Sequence, residues 1–287
     1  MSKQFDVALA TSEAFPELSH HERGVIDELR QLGLVARPVV WTDPGEAWRD
    51  ARLVVIQSTW DCHLRPGDFL HWVDRVHAAK PLQNPSSLVR WNFDKNYLLE
   101  LEEAGVAVTP TVWLKRGETV DLDALMRHRH WDRIVIKPTV SANANETHVL
   151  SSDMPGNAQA ALDLLARNHD VMIQPYLYSF ESEGERSYIF FGGVFSHSVR
   201  RPPTLQSAPR GFDLAIPFLP ATGPEFELAN LAFGKLPETP LYARVDVATN
   251  NDGIVRLQEI ELVEPCLFTS LVPGSAARFA RVMAECL

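Results

Sequence analysis

Asn250-Asn251-Asp252-Gly253 stands between two runs of alternating side chains, Tyr242 to Ala248 and Ile254 to Val263, and an Asp-Gly pair in that setting is a strong short-range hairpin signal. Successive side chains of a strand point to opposite faces. Arg244 and Asp246 therefore share one face, opposite Val245 and Val247, and on the returning strand Glu259 and Glu261 share a face, opposite Gln258, Ile260 and Leu262. Closing the hairpin at the Asp-Gly turn brings Asp246 and Glu259 close across the ladder. Three carboxylates gathered on one sheet face repel one another unless cations join them. Arg244 supplies one charge, and a divalent metal is the natural second partner, because magnesium takes hard oxygen ligands and keeps positions for substrate phosphates. The residue pattern alone fits equally well a solvated strand face whose ion pairs are worth about 0–1 kcal/mol each.

The rest of the chain narrows the class. With 27 Lys and Arg against 37 Asp and Glu, the formal net charge of −10 repels a phosphate backbone at long range, which excludes a general nucleic-acid binder but not a phosphorylated small molecule held by a local cluster of cations. Cys62, Cys266 and Cys286 are far apart and show neither a disulfide framework nor zinc-ligand spacing. No run approaches the roughly 18 apolar residues of a membrane span, and Asp6 interrupts the apolar start, so no membrane partner and a cytoplasmic location are expected. No Gly-x-x-x-x-Gly-Lys-Ser/Thr loop, Gly-x-Gly-x-x-Gly or Gly-x-Ser-x-Gly elbow occurs. His20-His21 and His128-Arg129-His130 read as exposed helix ends rather than metal ligands.

Three textures follow one another along the 287 residues. Residues 1–85 alternate strand and helix, which predicts a small parallel α/β domain whose ligand contacts lie after the strand C-termini. Ser58-Thr59-Trp60-Asp61, just after the third apolar run, is either a capped turn or such a contact. Residues 86–177 read as a lobe with a helix carrying Asp94-Lys95, strands near Thr109 to Leu114 and Ile134 to Lys137, and a small polar loop from Thr139 to Thr147 with the character of a lid. Residues 178–287 turn to antiparallel hairpins, with a long Pro- and Gly-rich loop from Arg201 to Pro224 and a closing helix from about Gly274 to Glu285. Lys137 ends an otherwise apolar strand, where a phosphate contact would explain the charge; Lys95 alone reads as a solvated helix residue.

Arg244-Val-Asp246, followed thirteen residues after that aspartate by Glu259-Ile-Glu261, resembles the ATP-grasp superfamily, in particular the Arg-x-Asp and Glu-x-Asn pattern of D-alanine–D-alanine ligases, with Glu261 in place of the Asn. Ser58-Thr59-Trp60-Asp61 with Arg65, Val89-Arg90-Trp91-Asn92 with Asp94-Lys95, Phe190-Phe191-Gly192-Gly193 with Phe195-Ser196-His197, and Glu264-Pro265 look more narrowly like the O-ureido-serine cyclo-ligases of D-cycloserine biosynthesis and their relatives. The resemblance implies an ATP-grasp fold: an N-terminal α/β domain, a central lobe with a lid, and a C-terminal antiparallel lobe. It implies ATP and Mg2+, or Mn2+, as cofactors, with Asp246, Glu259 and Glu261 as metal ligands. Lys95, Lys137 and Ser141 would meet the phosphates. Gln174, Pro175, Tyr176 and Leu177 would hold adenine, and Glu181 or Glu185 the ribose or the amino group. Two departures stand out. Where those relatives run into Gly-Asp-Phe-Arg, this chain has Ala208-Pro209-Arg210-Gly211-Phe212-Asp213, so the phosphate arginine is missing or is Arg200, Arg201 or Arg210. The loop from Thr11 to Ser19 carries Glu13 and Glu17 at other places than theirs.

The implied activity is an ATP-dependent carboxylate–amine ligase acting on an amino-acid-like small molecule through an acyl phosphate, with Arg244, Lys137 and Arg200 as catalytic residues and Ser58, Thr59, Asp61 and Arg65 on the substrate side. Cyclisation of one molecule, condensation of two, and ATP binding without ligation remain open from the sequence, as does assembly into a homodimer.

Overall fold

A computed structural model describes residues 4–153, 155–202, 215–218 and 222–287. Arg210 and the divergent stretch from Ala208 to Asp213 lie outside the described residues. Strands β1 (Phe5–Thr11), β2 (Ala36–Val40), β3 (Ala51–Ser58) and β4 (Leu82–Gln83) form an all-parallel sheet in the order β2-β1-β3-β4. Its two middle strands are apolar at nearly every position because both faces are covered. Val7, Leu9, Leu53 and Val55 pack with α1 (Gly24–Gln31) and the C-terminal helix α9 (Ser275–Ala284), while Ala8, Ala10, Val54 and Ile56 pack with Phe69, Trp72 and Val76 of α2 (Pro66–Ala79).

The predicted helix carrying Asp94-Lys95 is two helices. α3 (Ser86–Phe93) ends where Asp94 turns extended, and α4 (Tyr97–Glu103) starts afresh. Lys95 sits in the break, and its backbone N–H donates to the Thr139 carbonyl at 3.0 Å, which pins it beside the lid loop. The second sheet has β5 (Val112–Leu114), β6 (Arg133–Pro138), β7 (His148–Ser151) and β8 (Val171–Pro175) in the antiparallel order β5-β8-β6-β7, with α5 (Leu122–Arg129) and α6 (Pro155–Asn168) in one core with it. The Thr139 to Thr147 loop joins β6 to β7.

After the short α7 (Ser179–Ser182), β9 (Glu185–Phe191), β10 (Val194–Arg201), β11 (Ile216–Pro217), β12 (Tyr242–Thr249) and β13 (Val255–Glu261) make an antiparallel sheet in the order β11-β10-β9-β12-β13. Between β11 and β12, α8 (Pro224–Phe233) begins on a proline, where the missing N–H is harmless, and lies against the β9, β12 and β13 face that also receives Leu98 and Leu101 of α4. The sequence reading assigned this helix no element.

β13 is an edge strand, yet its outer polar groups are satisfied by side chains and loop backbone. The Asn92 amide donates to the Ile260 carbonyl and accepts from the Leu262 N–H, both at 2.7 Å. The Tyr97 hydroxyl donates to the Ile260 carbonyl and accepts from the Ile260 N–H, both at 2.8 Å. Asn84 donates to the carbonyls of Tyr242 and Leu262 and accepts from the Leu241 N–H. Further along, Leu257 exchanges backbone bonds with Ala107 and Thr109. Replacing Asn92 by Leu would leave a buried carbonyl and a buried N–H unpaired. The urea midpoint of Asn92→Leu is expected to fall by the equivalent of roughly 2–4 kcal/mol, and a midpoint equal to the parent's would show that this strand edge is not dry.

Candidate active site

The register places Arg244 opposite Glu261 and Asp246 opposite Glu259, with a bulge after Asp246. One oxygen from each of Asp246, Glu259 and Glu261 lies within 4.8 Å of the others. Asp246 and Arg244 are at the floor, 0% and 1% exposed. The Arg244 guanidinium bonds both Asp246 oxygens at 3.0–3.1 Å, reaches Glu261, and donates to the Cys266 carbonyl at 3.3 Å. Arg201 adds a second guanidinium, 2.7 Å from Asp246 and also paired with Glu185. A buried carboxylate so held is paired rather than stranded. Burial pushes the Glu261 carboxyl well up in spite of Arg244, so an added cation would find there a group whose charge is under-compensated. For Glu259 burial also opposes the charge, but Lys95 and Lys137 outweigh it and hold the carboxyl below its ordinary range. Lys95 stands 3.6 Å from Glu259. The donor set, three carboxylate oxygens beside a cavity, fits magnesium.

A cavity of about 230 Å3 opens in front of this cluster. Lys95, Lys137, Ser141, Gln174, Pro175, Tyr176, Leu177, Glu185, Glu259 and Glu261, all singled out in the sequence, line it together. The lid closes one side: Lys95 Nζ donates to the Ser141 carbonyl at 2.6 Å, and Ser141 Oγ donates to the Pro138 carbonyl at 3.1 Å. The Gln174 amide donates to Thr111 Oγ1 at 2.9 Å, and the Tyr176 carbonyl accepts from Asn251 at 2.9 Å, so the turn of the last hairpin steadies the strand end next to it. Burial pulls the Lys137 ammonium down, with Glu259 resisting.

Other expected residues lie elsewhere. Glu181 is outside the lining, half-exposed and tied to Arg133 and the Tyr176 hydroxyl. Arg200 is on the face of β10 opposite Arg201, so the arginine that meets the carboxylates is Arg201. Asp61 and Arg65 pair with each other at 3.0 Å, Arg65 lies over the Trp41 ring, and Trp41 donates to Asp61; none of them lines the cavity. Ser58 and Thr59 are fully buried. The residues of that segment that do reach the cavity are Cys62 and His63, with Glu264 from the end of the last hairpin. Sequence reading did not single out Cys62 and His63 as site residues because a lone Cys and a lone His carry no spacing signal, and it named Glu264 only within the family-like run ending Glu264-Pro265.

Ser58 is engaged by Glu22, a carboxyl the sequence reading also missed, since it looks like any acidic residue near a helix start. Ser58 Oγ donates to Glu22 at 3.3 Å, and the Leu267 N–H donates to it at 3.1 Å. Burial pushes the Glu22 carboxyl up from 4.5 to about 7. The folded chain thus keeps a proton there that the unfolded chain gives up above 4.5, so this group's contribution to stability is full below 4.5 and is lost as pH rises to about 7. Glu22→Gln removes that loss. Urea unfolding of variant and parent should diverge across this window, to roughly 3 kcal/mol in favour of the variant, and parallel pH curves would show that the carboxyl is not desolvated.

Set against solved structures, the chain superposes on D-alanine–D-alanine ligase from Bacillus anthracis complexed with ATP with a TM-score of 0.68 over 98% of this chain and 96% of that one, at 14% identity. A RimK domain ATP-grasp protein from Sphaerobacter thermophilus DSM 20745 gives the same TM-score at 15% identity, over 96% and 98% of the two chains. The chain has the ATP-grasp fold. In sequence it is similar to the cycloserine biosynthesis protein DcsG of Streptomyces lavendulae, 28% identical over 293 residues that cover 97% of this chain and 98% of that protein. The crystal structure of D-cycloserine synthetase DcsG superposes with a TM-score of 0.88 over 97% and 98% of the two chains. The family model described as the N-terminal domain of D-cycloserine synthetase DcsG matches residues 7–84. No described helix of this chain is long and apolar enough to cross a membrane.

Proposed function

We propose that this ATP-grasp protein is an ATP-dependent carboxylate–amine ligase: a substrate carboxylate takes the terminal phosphoryl group of ATP, and a nitrogen then displaces phosphate from the acyl phosphate, giving a C–N bond, ADP and phosphate. The observation that carries this reading is the convergence of Lys95, Lys137, the lid and the carboxylates of Glu259 and Glu261 on one cavity. Lys95 and Lys137 would bind phosphate oxygens, and Arg201 and Arg244 would keep the carboxylate floor in place. Mg2+, or Mn2+ in its stead, held by Asp246, Glu259 and Glu261, would neutralise charge on the phosphate chain. The wall of Gln174, Pro175, Tyr176 and Leu177 would take adenine, with Glu185 toward the ribose. The lid from Thr139 to Thr147 would exclude water from the acyl phosphate.

Similarity to the cycloserine proteins along the whole chain favours an amino-acid-like substrate and an intramolecular ring closure. We place the protein in the cytoplasm, divided as residues 1–85, 86–177 and 178–287, with a homodimer as a further part of this reading. ADP release measured against amino acids of both hands and O-ureido-D-serine tests it, with the product mass separating cyclisation from condensation of two molecules. Tight binding of magnesium–ATP with no ADP formed across the panel would overturn the ligase reading.

A further inference from the structure

The short 3-10 turn Cys62–Leu64, directly after β3, carries a histidine that nothing above uses. His63 lines the same cavity as Lys95, Glu259 and Glu264 but comes from the turn that follows β3 of the N-terminal sheet. Its Nδ1 is buried and has no hydrogen-bond partner among the described residues. The Trp60 carbonyl lies beside the ring. The charged groups around it are Lys95 and Asp61, and Glu264 reaches the turn through the neighbouring Cys62 thiol, which donates to it. Burial, then Lys95, lowers the His63 pKa below 6.5 against the pull of Asp61, so the ring is neutral at physiological pH. A neutral imidazole keeps one nitrogen lone pair free to take a proton, whereas Lys95 is committed to Ser141 and Glu259; the competing acceptor in the cavity is Glu264, which burial pushes up to about 7 and which takes the Cys62 hydrogen bond, and loss of product formation in the His63 variants is what separates the two.

Amide formation from an acyl phosphate needs such a group. The nitrogen lone pair attacks the acyl carbon, the C–O bond to phosphate breaks with phosphate keeping the bonding pair, and the nitrogen must shed a proton while its N–H electrons stay behind as the new amide lone pair. We infer that His63 accepts this proton from the attacking nitrogen and returns it to solvent after product leaves. The inference rests on the ligase reading and adds to it the residue that separates the second chemical step from the first: the lysines serve phosphoryl transfer, His63 serves C–N bond formation.

The test compares the parent with His63→Gln and His63→Asn, using magnesium–ATP and O-ureido-D-serine, or whichever amino acid of the panel supports ADP release. Two products are followed: the C–N bonded product, and the hydroxamate formed when hydroxylamine, a small nucleophile largely unprotonated at neutral pH, intercepts the acyl phosphate. Both variants should lose C–N product formation by about a hundredfold or more and keep hydroxamate formation near the parental rate, which also shows that they fold and bind ATP. The acid limb of the parent's rate profile, with its midpoint below 6.5, should disappear from the residual activity of the variants. Parental product formation in the variants, or equal loss of product and hydroxamate, would overturn the inference while leaving the ligase reading standing. A parent that releases no ADP at all removes the ligase reading and this step with it.

Discussion

Glu259→Gln is expected to lower ADP release at least about a hundredfold and to cost some stability as well, because Lys95 and Lys137 hold this carboxyl below its ordinary range in the folded chain. The side chain keeps its shape and loses its charge at the mouth of the carboxylate cluster, where it is 22% exposed and faces Lys95. Without that charge Lys137 loses the carboxylate that resists its desolvation, Lys95 loses its ion-pair partner, and the metal ligand set loses one of its anionic oxygens. Steady-state ADP release at saturating magnesium–ATP, with a urea denaturation curve alongside, is the measurement. Parental turnover in this variant would mean that the carboxylates serve architecture alone. Asp246→Asn is a poorer probe of the same idea, because Asp246 is wholly buried between Arg201 and Arg244, and neutralising it takes a counter-charge from both guanidinium groups.

The second large effect falls on stability. Arg244→Leu should cost about 3–5 kcal/mol, the usual result of removing one partner from a buried ion pair. Arg244 is 1% exposed and holds Asp246, Glu261 and the Cys266 carbonyl at once, and Arg201 compensates only Asp246 and Glu185 in its absence. A leucine fills part of the volume but answers none of those oxygens. The readout is the urea midpoint at unchanged slope, and a shift below about 1 kcal/mol would show that the carboxyls are protonated rather than ion-paired in the folded chain.

The parts of this site that were legible in the sequence are those with local spacing behind them. The hairpin register follows from one turn and two alternating runs, so Asp246 opposite Glu259 could be read directly. The parallel order of the first sheet follows from strand–helix alternation, and β1 and β3 are apolar on both faces as that order demands. What escaped depends on contacts distant in sequence. Arg201 rather than Arg200 meets the carboxylates because of the parity of β10 against β9, which a Pro- and Gly-rich flank hides. Lys95 sits in a break between helices because Asp94 turns extended and Thr139 captures the next N–H, a partner 44 residues away. Ser58 has the composition of a ligand contact, yet Glu22 and the Ser19 N–H claim its hydroxyl.

The side chains that line the rim of β13 have a mechanical consequence. Asn84, Asn92 and Tyr97 fasten the strand bearing Glu259 and Glu261 to the end of the N-terminal sheet and to two helices, and α9 clamps the same two sheets from the other side. These pieces form a fixed jaw. The β5–β8 sheet meets it through the Ala107–Thr109 rungs, Thr109 with Gln258, the Asn251 contacts to Tyr176 and Tyr178, and, at the lid, Lys95 with Thr139 and Ser141 and Asn143 with the Trp60 carbonyl. The cleft therefore lies on a seam, with Lys137 and the lid on one side of it and the carboxylates and His63 on the other.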